Sequence, residues 1–278
     1  MNSLREDWRE ALAAVPRERR GRLIAVLPLG AEEQHGPHLP ADTDTRIASG
    51  VAHRLKAALP AEVPALFLPV EPIGYSVEHT AWAVTKSLSY AEAIERWLGI
   101  AAELAAEGVR KFVMLNAHGG NAPLMTIVAT EARLRFKMLA VATSWTRFGQ
   151  PDGWIAPADK AIDIHAGDIE TSVMLALDPD RVDRTKARAF PSRQAEFAAR
   201  FRHLRAYGPH AFGWTMGDLN PDGAAGDATR ATAEKGERLL AHAVAGLVEL
   251  MQDIDGFDPA VFDGAASPSW TSPAKLPI

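Results

Sequence analysis

Between Glu32 and Asp44 the chain reads EEQHGPHLPADTD, carboxylates and imidazoles interrupted by glycine and proline. Glu33 and His35 stand two residues apart, so in an extended segment their side chains point the same way and can meet at one point. Asp44 follows a proline-containing loop, at the start of a helical pattern. Carboxylate and imidazole together suit a divalent ion such as Zn, Mn or Fe(II). The competing reading is that Asp42 or Asp44 caps the helix through its carboxylate and that the histidines are surface polar groups. Capping accounts for one aspartate and leaves Glu33 and His35 unexplained.

Two further clusters carry the same residue types. NAHGGN, from Asn116 to Asn121, holds His118 beside two glycines that allow close backbone approach. A phosphate cradle is the weaker alternative there, since neither G-x-G-x-x-G nor a P-loop lysine is present. HAGDIETS, from His165 to Ser172, puts His165 in a glycine-containing loop, where it is a candidate proton-transfer group near neutral pH. Glu170 falls in the first turn of the next helix, a place the helix dipole favours for any carboxylate. Asp168 is a candidate N-cap and a candidate orienting partner for the His165 imidazole. His38, Asp42, Asn116 and Asn121 are placed to orient the ligand-type residues. His79 is expected to border the substrate. Trp82, Trp145, Trp154 and Trp214 are candidates to wall a pocket, while His53, His203 and His242 read as surface or packing residues.

These residues need a frame to bring them together. Short apolar runs at Leu23–Gly30, Ala65–Val70, Lys111–Gly120 and Met138–Trp145 read as buried strands. Helical patterns at Thr45–Leu59, Ser89–Gly108 and Asn121–Phe136 separate them, with Gly108 as a stop. That β-α-β-α order predicts an α/β fold, a mostly parallel sheet with helices on both faces. Ligands of such sheets bind beyond the carboxyl ends of the strands. The Glu33/His35 and Asn116/His118 pairs both fall there. Further helices are expected at the N-terminus, with Leu4, Trp8, Leu12 and Val15 on one face, after HAGD, over Ser192–Leu204, and over Ala228–Ile254. Residues 1–255 read as one domain and 256–278 as an extended tail with Trp270 as an anchor. The glycine- and proline-rich segment Thr146–Asp163 reads as a mobile flap, with Trp154 touching substrate.

Composition narrows the chemistry. The chain has 278 residues, 47% hydrophobic, a formal net charge of −5 and no cysteine. Thiolate nucleophiles and sulfur-ligated metals are excluded. The absence of a basic face argues against nucleic acid or a membrane as partner. No signal peptide or membrane-spanning run stands out, which leads to an expectation of a cytoplasmic protein.

With EEQHGPHLPADTD, NAHGGN, HAGDIETS and GAAGDATRATAEKG in this order, from about Leu23 to Leu250, the sequence resembles the creatininase family. The resemblance implies a single three-layer α/β/α domain, assembled as a hexamer, with a two-metal site at the sheet edge. It assigns Glu33, His35, Asp44 and His118 as metal ligands, Asp44 as their bridge, and His165 as the catalytic histidine. Creatininase itself carries a metal-binding glutamate two residues after the equivalent of His118, where this chain has Gly120. Family members reading HGGN share that departure, and Glu170 is assigned as the replacement ligand. The implied mechanism has two divalent ions, Zn first and Mn or Fe(II) as alternatives, sharing Asp44 and a hydroxide that attacks an amide, with His165 shuttling the proton. A small, possibly cyclic, amide is the expected substrate. A peptidase or deformylase of the same family, a mononuclear ester or lactone hydrolase, and a non-catalytic binding protein are the alternatives.

Overall fold

A computed structural model describes residues 8–151 and 154–264. Four strands, β1 (Ile24–Leu29), β2 (Ala65–Phe67), β3 (Lys111–Asn116) and β4 (Leu139–Ser144), form a wholly parallel sheet in the order β2-β1-β3-β4. The helices are α1 (Trp8–Ala13), α2 (Thr43–Ala58), α3 (Tyr90–Ala106), α4 (Ala122–Phe136), α5 (Pro157–Lys160), α6 (Asp168–Leu177), α7 (Gln194–Arg200), α8 (Met216–Leu219) and α9 (Ala233–Gly256). A second, antiparallel pair joins β5 (Ala189–Phe190) to β6 (Gly226–Asp227), and no sequence pattern announces it.

The central strands are apolar on both faces because both faces are covered. Ile24, Val26, Val113 and Leu115 pack with residues of α2, α6 and α9, whereas Ala25, Leu27, Leu29, Phe112 and Met114 pack with α1, α3 and α4. Each fully buried leucine, isoleucine or phenylalanine contributes about 1.5–3 kcal/mol. This is the expected α/β arrangement, with helices on both sides of a parallel sheet.

β2 ends at Phe67, three residues short of the predicted run, and Pro28 gives the reason. Ile24 and Gly30 donate hydrogen bonds to this edge, to Pro64 and Glu71, so Pro28 is due to donate in the same alternation. It has no N–H to give. The paired chain leaves the ladder and rejoins it only at a bridge between Leu29 and Glu71.

Leu29, Asn116 and Ser144 lie side by side in the register. The loops after β1 and β3 therefore leave the sheet as neighbours. Gly108, at φ +90°, ends α3 as expected. The last long helix starts at Ala233 rather than Ala228, because the Thr232 hydroxyl accepts the Lys235 amide and sets the N-terminus there. In the expected tail, α9 runs on to Gly256 and Pro259–Phe262 forms a short 3-10 turn, so this part is not extended. Leu4 and Trp270 lie outside the described residues.

Candidate active site

The loop after β1 carries Glu33 and His35 to a point where five further segments meet. Asp44 arrives in the first turn of α2, His118 just beyond β3, His79 at the end of a 3-10 turn, His165 in the loop before α6, and Glu170 in the first turn of α6. Of these, Glu33, His35, Asp44, His79, His118 and His165 are buried.

Glu33 stands at the centre. Its Oε1 lies 3.5 Å from His79 Nε2 and 3.6 Å from His165 Nδ1, and its Oε2 lies 3.3 Å from His118 Nδ1. Asp44 reaches two ways, with Oδ1 3.4 Å from His35 Nε2 and Oδ2 3.1 Å from His118 Nδ1. Glu170 Oε2 lies 4.0 Å from both His35 Nε2 and His165 Nδ1. The rings of His35 and His79 each stand 4.3 Å from that of His165.

Three imidazoles share one device. His35 Nδ1 donates to the Glu33 carbonyl at 3.0 Å, His118 Nε2 to the Tyr75 carbonyl at 2.9 Å, and His165 Nε2 to the Gln34 carbonyl at 2.7 Å. A carbonyl can only accept, so the outer nitrogen of each ring carries a proton, and the inner nitrogen offers a lone pair whenever the ring is neutral. That is how metal-ligating histidines are fixed. His79 has no such anchor, and its Nδ1 is buried without a partner.

Both Glu33 oxygens, His35 Nε2 and Asp44 Oδ2 are also buried without a hydrogen-bond partner within the protein. Leaving such a group unsatisfied costs about 1–3 kcal/mol, and more when it is charged. Donors of this kind, nitrogen and oxygen only and facing one another at 3–4 Å, fit divalent cations. Three of the donor groupings, Glu33–His35–Asp44, His35–His165–Glu170 and Glu33–His79–His165, are each tight enough for one ion.

The electrostatics reflect the crowding. Burial works to raise the Glu33 pKa, but the imidazoles of His118, His79 and His165 outweigh it and hold the carboxylate well below its ordinary range. Burial pushes Glu170 up to about 7. Against the opposing effect of burial, Asp44, Glu170 and Glu33 raise His35 to about 10. His165, buried and beside His79 and His35, is held well below its ordinary value.

Asn116 and Asn121 stand behind the cluster and brace it. Asn116 takes the His118 amide on its Oδ1 and donates to the His118 carbonyl, while Asn121 bridges the Tyr75 amide, the Gly30 carbonyl and Asn116. A side chain at Gly120 would collide with the Tyr75 carbonyl, His118 Nε2 and Glu78. The position has no space for a glutamate, and the carboxylate that faces His35 instead is that of Glu170.

Other expected site residues lie elsewhere. Asp42 occupies the N-cap position of α2 but its side chain makes no capping bond; its carboxylate holds Arg46, which also pairs with Asp178. Asp168 does not orient His165, and it is the first residue of α6 rather than its N-cap; its carboxylate is taken by Lys235 at 2.5 Å and by the Ser172 hydroxyl. His38 is stacked on Phe190 and bonded to the Thr171 hydroxyl, one layer behind His35. Trp154 lies against the Arg238 guanidinium at 4.3 Å, and no described contact joins it to the cluster. The segment expected as a flap contains α5, tied to the loop before α9 by the Asp159–Arg230 pair. Of the other tryptophans, Trp145 is core, Trp214 bonds to the Ala206 carbonyl, and Trp82 alone stands near the cluster, 6.4 Å from His79. A cavity of about 240 Å³, lined by Asp163, Asp168, Phe190 and Arg230 among others, includes none of the converging donors.

Sequence reading undervalued His79, whose neighbours in YSVEHT give no spacing signal, and missed the Gln34 carbonyl, which no residue identity encodes. It also passed over Asp163, two residues before His165, whose carboxylate accepts the Ile169 amide.

Comparison with known proteins gives a consistent result. The family model described as creatinine amidohydrolase matches residues 7–251. A mycofactocin precursor peptide peptidase of Mycolicibacterium smegmatis is 34% identical over 228 residues, covering 81% of this chain and 83% of that protein. A creatinine amidohydrolase of Pseudomonas putida is 30% identical over 202 residues, covering 63% and 71%. A creatininase structure described as the Mn form superposes with a TM-score of 0.71 at 26% identity, over 90% of this chain and 96% of that one. A mutant creatininase of Zn-Zn type gives 0.70 over the same shares.

Proposed function

The chain belongs to the creatininase family of hydrolases, and from that premise we propose that it is a metal-dependent amidohydrolase. Glu33, His35, Asp44, His118 and Glu170 would hold two divalent ions, Zn first and Mn or Fe(II) as alternatives. The observation that carries this reading is the divided reach of Asp44, one oxygen toward His35 and the other toward His118. Bound divalent ions supply Lewis-acid polarisation of an amide carbonyl and lower the pKa of water from about 15.7 toward 7.

The chain's own residues supply the rest. Asp44 joins the two halves of the donor set. Glu33, kept ionised by its histidines, offers both oxygens. His165 keeps a proton on Nε2 for Gln34 and presents Nδ1 as the base that takes a proton from the attacking water and passes it to the leaving nitrogen. His79, unanchored and buried at the same point, borders the substrate.

The bond cleaved is the C–N bond of a small amide. A second reading, a peptide C–N bond, is favoured by the higher identity and longer coverage to the mycofactocin peptidases than to creatinine amidohydrolase. Elemental analysis of the purified protein against Asp44→Ala tests the metal, and turnover of a cyclic amide against a short peptide tests the substrate. Two ions in the parent and a marked loss in the variant support the proposal. No metal in either, after loading with Zn or Mn, overturns it. A hexamer and a cytoplasmic location belong to the same proposal, and light scattering in solution tests the first.

A further inference from the structure

Taking Glu170 as the fifth donor, a step that rests on the metal reading above, we propose that Asp163 is a positioning residue that holds both His165 and Glu170 in place. Asp163 stands outside the ligand set. Its Oδ2 accepts the Ile169 amide at 3.0 Å, so a side chain from the preceding loop plugs the N-terminus of α6, whose own N-cap, Gly167, has no side chain. Its Oδ1 fills space that two glycines leave open: a Cβ on either Gly167 or Gly226 would fall on that oxygen.

Both glycines belong to the frame of the site. Gly226 follows Ala225, which exchanges main-chain hydrogen bonds with His165 in both directions. Gly167 follows Ala166, which takes a left-handed φ of +51°, a conformation that alanine adopts only when its surroundings impose it. That turn aims the Ala166 amide at Glu170 Oε2, 2.6 Å away. The Asp163 carboxylate is thus wrapped by the turn that carries His165 and bonded to the helix end that carries Glu170. Residues that orient ligands in this way change metal affinity or activity about tenfold to hundredfold when removed.

The inference predicts a selective loss. Competition titration of zinc against a chromophoric chelator, with the cobalt(II) absorption spectrum as a second readout, compares the parent with Asp163→Ala and Asp163→Asn. Asp163→Ala should keep the ion held by Glu33, Asp44 and His118 and weaken the other about tenfold to hundredfold. The isosteric Asp163→Asn, which keeps one acceptor for Ile169, should show a smaller selective loss, and it stands in if Asp163→Ala fails to fold. Two ions bound as tightly in the variants as in the parent overturn the inference alone. Equal weakening of both ions, in step with a lower unfolding midpoint, overturns it in favour of a general structural role. A parent that binds no ion overturns both this inference and the metal reading.

Discussion

His165 donates its Nε2 proton to the main-chain oxygen of Gln34 across 2.7 Å. The bond fixes the tautomer, and it ties the loop before α6 to the loop after β1. It also fastens His165 in the same manner as the two assigned histidine ligands, so whether His165 binds metal or moves protons becomes a question for a mutant.

His165→Ala should retain about two ions and lose turnover about 10²- to 10⁴-fold, the range for removal of a general acid–base group. Elemental analysis together with the rate on an amide checks both halves. A fall to one ion per chain would make His165 a ligand instead.

Asp44→Asn should cost the protein more metal than any other single ligand change, because its two oxygens face the two halves of the donor set. His35→Ala or His118→Ala should each spare one ion. Metal counts on the three variants decide it, and equal losses would refute the bridging role.

Gly120→Glu, which installs the residue that creatininase carries, should not add a ligand. Its Cβ falls on the Tyr75 carbonyl and on His118 Nε2. The expected result is a lower thermal midpoint and weaker metal binding, read by melting curves and zinc titration. Tighter binding would show that the Tyr75 segment yields.

The metal-free protein should lose stability on acidification, and His38 should contribute. Burial, and then the neighbouring His35, holds His38 down to about 4. Its folded pKa is thus below its unfolded value of about 6.5, so the unfolded chain binds the proton first. The contribution is complete above pH 6.5 and disappears as the pH falls to about 4. Denaturant unfolding at pH 7 and pH 5 should show a smaller drop for His38→Asn than for the parent, and an equal drop would contradict this.

The sheet was legible because the strands are buried on both faces and therefore continuously apolar, as Ile24–Leu29 and Lys111–Asn116 are. The metal-type donors were legible because glycine and proline around Glu33, His35 and His118 mark loops at strand ends. Side-chain direction was not legible. Asp42 has the right type and place, but an arginine one turn on at position 46 claims it, and Lys235 claims Asp168 from a helix distant in sequence. Trp154 was read from its neighbours in the chain, whereas its partner, Arg238, lies in α9. The Lys235–Asp168 and Arg238–Trp154 contacts join distant parts of the chain and leave no mark in local spacing. The Asp42–Arg46 pair, by contrast, is an i,i+4 spacing that the sequence does carry.

Two successive carbonyls, those of Glu33 and Gln34, aim the imidazoles of His35 and His165. Point mutation cannot replace a carbonyl. The three-residue stretch therefore behaves as a fixed jig, and an insertion or deletion within it would misalign two histidines from different parts of the chain at once. Directed evolution of this scaffold should leave residues 33–35 alone.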